Sequence, residues 1–140
     1  MSYDLFVYLK RSEMPTPMAW REAIVGAGFP VALDTDFDVD TFTGFLPCPV
    51  NDQISGFEYY ASRVDPIDAK HLQLPAGTDF SVQFSIGASP LELVSALAAS
   101  SVLAALAAGT LSDPQSGESI SGNVAVDWAR SELTKGPANW

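Results

Sequence analysis

The segment Asp79–Ile86 constrains the fold more than any other part of the chain, because apolar and polar side chains alternate along it without interruption. Its apolar positions are Phe80, Val82, Phe84 and Ile86. Successive side chains of a β-strand point to opposite faces of the sheet. The alternation therefore predicts a strand with one face in a core and the other face directed outwards.

Further segments rich in strand-forming residues accompany it. The predicted strands are residues 4–9, 29–40, 56–61 and 110–112. Phe42–Leu46 either extends the second of these or forms a strand of its own. Pro47 and Pro49 end the pairing there, because proline has no amide hydrogen to donate to a neighbouring strand.

Three helices are predicted from the residues at their ends. The first runs from Pro17 to Gly26 or Gly28, the second covers residues 90–108 before Gly109, and the third covers residues 124–133. Their expected N-caps are Thr16, Ser89 and Asn123, and Glu92 is the expected capping-box partner of Ser89. Residues 65–77 form the longest predicted loop, and residues 113–118 form a turn.

This order of elements, β-α-β-β-β-α-β-α, predicts an α+β fold in which helices pack on one side of a mostly antiparallel sheet. The nearest simple plan is βαββαβ-like. The length of 140 residues predicts a single α+β domain over residues 1–140.

The charge balance narrows the possible partners. The chain has 17 acidic and 7 basic residues and a net charge of −10, so it should repel nucleic acid and anionic membranes and attract basic proteins or divalent cations. The first residues lack a charged segment followed by an apolar run, so we expect no signal peptide and a cytoplasmic, bacterial-like protein. The uncharged run 93–108 is too short and too rich in alanine to predict a membrane span.

The most distinctive polar feature is the acidic segment, Asp34–Asp40, in which aspartates occupy every second position. They are Asp34, Asp36, Asp38 and Asp40. In a strand these carboxylates would share one face. Three interpretations remain open: a calcium site, a strand edge protected against aggregation, or a face for a basic partner. Against the calcium site, the segment lacks the glycine and the glutamate of the calcium-binding EF-hand loop.

A second candidate contact patch surrounds the predicted strand 56–61. Phe57 and Tyr59 are expected in the core, whereas Glu58 and Tyr60 point to the other face and, with Phe45, form a contact patch in the sharper interpretation. The alanine-rich helix after Pro90 also leaves two interpretations. It either lies centrally between the sheet and the last helix or offers a small-residue surface to a second subunit.

Catalytic and cofactor motifs are not supported. Cys48, the single cysteine, lies between two prolines, and His71, the single histidine, lies in the predicted loop, so a thiol–imidazole pair has no local signal. Gly26-Ala27-Gly28 follows a helix instead of preceding one, which is the wrong context for dinucleotide binding. We predict no metal site and no cofactor, although a carboxylate pair that meets only in the folded chain stays open.

Three parts of the chain resemble a known group of proteins. They are Ser55–Tyr60, the alanine-rich helix before Gly109, and the turn Asp113–Gly117. Together they are similar to a loose group of small bacterial α+β proteins, some of which are encoded as immunity proteins beside toxins. The resemblance implies the fold and carries no functional residue with it.

The leading functional hypothesis is a non-enzymatic protein-binding domain, of the immunity or antitoxin-like kind, that masks a basic partner. The expected binding residues are Asp34, Asp36, Asp38, Asp40, Glu58 and Tyr60. One alternative is a small hydrolase or ligand-binding enzyme that uses two carboxylates in a cleft. Another is a structural protein that self-associates, as a homodimer, through the alanine-rich helix.

Overall fold

In the computed structural model, which describes residues 3–135, the alternating segment forms a strand inside a six-stranded sheet. The elements in chain order are β1 (Tyr3–Leu9), α1 (Pro17–Gly26), β2 (Thr43–Pro47), β3 (Gly56–Arg63), α2 (Pro66–His71), β4 (Phe80–Ile86), α3 (Pro90–Leu106), β5 (Thr110–Asp113), β6 (Glu118–Ser121) and α4 (Gly122–Thr134). The spatial order is β2-β3-β4-β1-β5-β6, and all neighbouring strands are antiparallel. The α+β prediction is confirmed.

The alternation of β4 decides which side of the sheet is covered. Val82 pairs with Val7 of β1, and Phe84 pairs with Leu5, so apolar side chains from neighbouring strands share one face. All four of these residues are buried. α3 packs across β1, β3, β4 and β5 on this face, and α1 and α4 pack against α3.

The alanine-rich helix is central, which confirms the first interpretation of its composition. Every residue from Ser95 to Ala104 is buried, although the helix presents no single apolar stripe. Its small side chains let α4 approach closely. The ring nitrogen of Trp20 in α1 donates a 3.0 Å hydrogen bond to the Ala99 carbonyl of α3, which joins the two helices.

The strand predicted over residues 29–40 is wrong. This stretch is irregular, and its sheet-like pairing is limited to an isolated bridge between Val31 and Val50. Two hydrogen bonds, from the amides of Ala32 and Asp34 to the carbonyls of Pro49 and Pro47, attach its first part to the outer side of β2. The remainder is held by side-chain contacts and turns. A pattern of alternating apolar residues is compatible with such turns as well as with a strand.

Several boundaries also differ from the prediction. The predicted loop 65–77 contains α2, whose first amides are capped by Asp65, and the turn after β5 leads into an additional strand, β6. Asn123 lies inside α4, so its predicted role as the N-cap is wrong. Glu92 does not complete a capping box with Ser89, because its Oε1 accepts a 3.0 Å hydrogen bond from the amide of Gly87.

Candidate functional site

The face of the sheet opposite α1, α3 and α4 presents outward-pointing side chains from all six strands; we call it the open face. Register places them in rows that cross the strands. One row contains Phe6, Gln83, Tyr60 and Thr43, and the next contains Asp4, Ser85, Glu58 and Phe45. Side chains opposite each other on adjacent strands lie about 5 Å apart, so each row forms a nearly continuous surface.

Aromatic side chains occupy one half of the open face. Phe45 and Tyr60 are 44% and 42% exposed, which is unusual for side chains of this size. Phe6 and Tyr8, on the same strand, are half-buried and stack with ring centroids 6.0 Å apart. The other half, on β5 and β6, carries only small hydroxyl side chains on this face. These are Thr110, Ser112, Ser119 and Ser121.

The position of Phe45 depends on a glycine. A Cβ atom on Gly56 would lie 2.7 Å from Cζ of the Phe45 ring, so the ring lies directly over the backbone of β3. Real side chains do not tolerate that distance, and Gly56 is therefore needed for this arrangement. The ring is held against the sheet while one side of it stays accessible.

Two carboxylates lie in the row beside these rings. Glu58 is half-buried and forms no ion pair within residues 3–135. Asp4 is also half-buried, and its Oδ1 atom is shielded from solvent yet accepts no hydrogen bond from residues 3–135. A shielded carboxylate oxygen without a hydrogen-bond donor is unfavourable, so a donor from a partner would be stabilising in this row of the open face.

A cleft of about 460 Å³ opens at the end of this row, and we call it the Glu58–Glu92 cleft. Its lining residues are Phe45, Phe57, Glu58, Ser85, Ile86, Gly87 and Glu92. Glu92 belongs to the first turn of α3, and the Gly87 amide fixes one of its oxygens. Tertiary structure thus places a second carboxylate in the same cleft as Glu58, with Phe45 and Phe57 in its lining.

A second groove of about 380 Å³ lies between the open face and α2. Asp68, His71, Ser62 and Ser81 all line it, but the hydroxyl groups of the two serines bond to each other at 3.0 Å. His71 is exposed and makes no hydrogen bond to either serine or to Asp68 within residues 3–135. The groove therefore lacks the linked base and nucleophile that a catalytic triad needs.

The acidic segment packs Phe37, which is partly buried, against the aromatic core beside the helices. Phe37 packs edge-on against Tyr59 with ring centroids 5.3 Å apart, and it also contacts Trp20 and Phe42. Tyr59 points to the helix-covered side of β3, whereas Glu58 and Tyr60 point to the open face. The structure therefore places Phe37, in the middle of the acidic segment, on the side of the sheet opposite to Glu58 and Tyr60, whereas Asp34 lies beside the end of β2.

The aspartates of this segment do not form a row. Asp34 accepts the amide of Asp36 at 3.1 Å, and Asp38 accepts the amides of Asp40 and Thr41 at 2.8 and 3.2 Å. Such local bonds are the usual reason that aspartate favours turns over strands. Asp36, Asp38 and Asp40 remain exposed, so the segment is still a negatively charged surface.

Asp40 has a partner of its own. Arg11 donates Nε and Nη2 to its two carboxylate oxygens at 2.6 and 2.7 Å, and the guanidinium also lies over the Phe80 ring. The hydrogen bonds from Arg11 lower the pKa of the Asp40 carboxyl, with the positive charge of Arg11 adding to them. Asp40 is thus the one member of the acidic segment that is paired with a cation within residues 3–135.

Other candidate residues are structural. Cys48 is fully buried, and burial raises the pKa of its thiol to about 12, so it is poorly suited to nucleophilic chemistry. Residues 3–135 contain no group of three or more histidine, cysteine, aspartate or glutamate side chains placed to hold a metal ion. Within the same range, no helix combines the length and apolar character needed to cross a membrane.

The comparison of the chain with protein-family models, with curated proteins and with solved structures found no match. The site therefore has to be judged from its own residues. Sequence reasoning identified Phe45, Glu58 and Tyr60, because they alternate with buried positions. It missed Phe6 and Tyr8, although the same alternation along β1 marks them, and it had no local signal that Glu92 would approach Glu58.

Proposed function

We propose that this chain is a non-enzymatic protein-binding domain whose open face holds a basic partner, in the manner of an immunity or antitoxin-like protein. The observation that supports this is the position of two exposed rings beside a carboxylate that has no ion-pair partner within residues 3–135. Phe45 and Tyr60 flank Glu58 on a sheet face that α1, α3 and α4 leave uncovered. Large aromatic side chains that are desolvated on binding supply much of the affinity at protein interfaces.

The charge of the chain favours a basic occupant over a second copy. Two copies would each carry a net charge of −10, so association through a face that already contains Asp4 and Glu58 would bring like charges together. A basic partner would neutralise these carboxylates and be attracted from a distance. The self-associating alternative predicts a dimer, which light scattering of the purified chain would detect.

The acidic segment has a different role in this proposal. Its central residue Phe37 packs on the helix side of the sheet, so its aspartates are separate from the contact patch around Glu58 and Tyr60. Their exposed charges still add to the field of the molecule, which accelerates the encounter with a cationic protein. Glu58 and Tyr60 then belong to the contact surface, and Asp34, Asp36, Asp38 and Asp40 act on the rate of association.

Two variants separate these roles. The chain is immobilised to capture basic proteins from the native host, and each captured protein is then purified and its binding rates are measured. Phe45→Ser with Tyr60→Ser should increase the dissociation rate by about tenfold or more, because the apolar contacts are lost. Changing the four aspartates to asparagine should instead lower the association rate at low salt and leave the dissociation rate almost unchanged.

The proposal would be wrong if a specific partner bound the Phe45/Tyr60 variant with unchanged rates, or if every specific partner were acidic. Asparagine retains the oxygen atoms that accept backbone amides, so the fourfold variant preserves the turns. Circular dichroism of both variants should match the wild-type spectrum. The measurement is repeated at high salt, where the effect of the four aspartates should disappear.

A second candidate function draws on the Glu58–Glu92 cleft. Two carboxylates in one cleft are the arrangement that glycoside hydrolases use as acid and base or nucleophile. A panel of chromogenic glycosides tests this directly. A hydrolase would cleave at least one of them, and Glu58→Gln or Glu92→Gln would each reduce the rate by orders of magnitude. No turnover by the wild type across the panel would count against it.

A further inference from the structure

We infer that the Glu58–Glu92 cleft recognises the guanidinium group of an arginine side chain in the partner. The inference rests on the proposed function, since it names the chemical group that the open face would bind. It depends on three features of the cleft lining: two carboxylates, one accessible aromatic ring and one serine hydroxyl group.

The two carboxylates are placed on different elements and are both available to donors. Glu58 projects from β3 and forms no ion pair within residues 3–135. Glu92 projects from the first turn of α3, where the helix favours its negative charge, and the Gly87 amide holds Oε1 at 3.0 Å. Because Oε2 of Glu92 accepts no hydrogen bond from these residues, one oxygen is oriented by the protein while the other stays free to accept from a ligand.

The remaining lining residues suit a planar cation. The Phe45 ring lies close to Gly56 and is 44% exposed, so its exposed part is available to a planar cation. Ser85 pairs in register with Glu58 and adds a hydroxyl oxygen to the lining of the cleft. A cation over an aromatic ring is stabilised further when carboxylates neutralise it in a partly desolvated cleft.

These features favour arginine over lysine. Guanidinium is planar and has five N–H donors in fixed directions, so it can bond to two separate carboxylates while stacking on a ring. An ammonium group is compact, carries three donors and does not stack. The cleft volume of about 460 Å³ also exceeds what one side chain fills, which leaves room for the backbone of an extended segment.

The experiment titrates the purified chain with Nα-acetyl-arginine methylamide and follows backbone amides by NMR. The matched control is the citrulline analogue, which has nearly the same shape without the charge. We expect arginine-induced shifts at Glu58, Ser85 and Gly87, and binding about tenfold weaker for citrulline and clearly weaker for the lysine analogue. High salt should weaken arginine binding.

Variants localise the effect. Glu58→Gln and Glu92→Gln should each weaken arginine binding, and Glu92→Gln still provides an oxygen for the Gly87 amide. Phe45→Leu should reduce the preference for arginine over lysine. Glu22→Gln, an equal loss of charge at an exposed position of α1, should leave binding unchanged.

Equal binding of arginine and citrulline, or shifts confined to the acidic segment, would overturn this inference. The proposed function fails in a different way. If a basic protein binds the wild type and loses affinity in the Phe45/Tyr60 variant while the arginine analogue never binds the cleft, the protein-binding function stands and the arginine site does not. If the analogue binds the cleft but no basic protein binds the open face, the reverse conclusion follows.

Discussion

The hydroxyl group of Tyr59 donates a 2.6 Å hydrogen bond to the main-chain carbonyl oxygen of Val39. This bond joins the central part of the sheet to the acidic segment, since Tyr59 is fully buried on β3 and Val39 lies between Asp38 and Asp40. Phe37 packs against the same ring. Tyr59, which is 20 residues from Val39 in sequence, therefore helps to hold the acidic segment in place through both a hydrogen bond and a ring contact.

Replacing Tyr59 by phenylalanine should lower the free energy of unfolding by about 1 kcal/mol, because the Val39 carbonyl loses its partner while the ring packing is retained. Urea denaturation measures the difference. Tyr60→Phe is the matched control, because Tyr60 is exposed on the opposite face and its hydroxyl group forms no hydrogen bond within residues 3–135. A similar loss in both variants would contradict this account.

Alkaline pH should destabilise the chain partly through the same residue. Burial raises the pKa of the Tyr59 phenol above its ordinary value, and the nearby Asp40 charge adds to the effect. The folded state then holds the proton more tightly than the unfolded state. Stability from this group is complete below about pH 10 and is lost as the pH rises above it. The free energy of unfolding, measured by denaturation at increasing pH, should fall less steeply for Tyr59→Phe than for the wild type.

Acidic pH should remove the stability that the Arg11–Asp40 pair contributes. Hydrogen bonds from Arg11 lower the Asp40 pKa, so the stability that the pair contributes is present above about pH 4 and is lost as the pH falls through the lowered value. Both side chains are partly exposed, so the contribution should be below about 1 kcal/mol. Asp40→Asn should remove it at pH 7 and make the acid dependence shallower. An unchanged pH dependence would show that the pair does not contribute to the free energy of unfolding in solution.

Gly122→Ala should destabilise the fold strongly. A Cβ atom at Gly122 would lie 2.9 Å from the Gly109 carbonyl oxygen and still closer to that of Ala104, so α4 would have to move away from α3. Overpacking against backbone atoms costs about 1–3 kcal/mol. Gly26→Ala is the control, since a Cβ atom at that position of α1 would meet nothing within 4 Å, and it should be neutral or slightly stabilising. Thermal unfolding of both variants gives the comparison.

Cys48 should be unreactive in the folded chain. It is fully enclosed, its pKa is raised to about 12 by burial, and its carbonyl accepts a 2.7 Å hydrogen bond from Ser95. A colourimetric thiol reagent at pH 8 should therefore label it orders of magnitude more slowly in buffer than in denaturant, with a rate that follows unfolding. Rapid labelling under native conditions would show that this part of the core opens locally.

Local sequence signals are sufficient for most elements. Thr16 accepts the Ala19 amide as the pattern Thr16-Pro17 predicts, and the alternation in β4 identifies both its buried and its outward positions. The same kind of signal is present at Asp65-Pro66, where it marks the start of α2 inside the predicted loop. Caps and alternating faces act over a few residues, so a sequence can reveal them without tertiary information.

The sequence by itself determined β1, β3, β4, β5, the three longer helices, the buried face of the sheet and the acidic character of the chain. Only the tertiary structure decided where the acidic segment lies and that Glu92 lines the same cleft as Glu58. Alternating aspartates satisfy a strand and a series of turns equally well, and the choice depended on whether Phe37 could reach Tyr59 and Trp20. Such contacts join distant parts of the chain, so their energies do not appear in any local pattern.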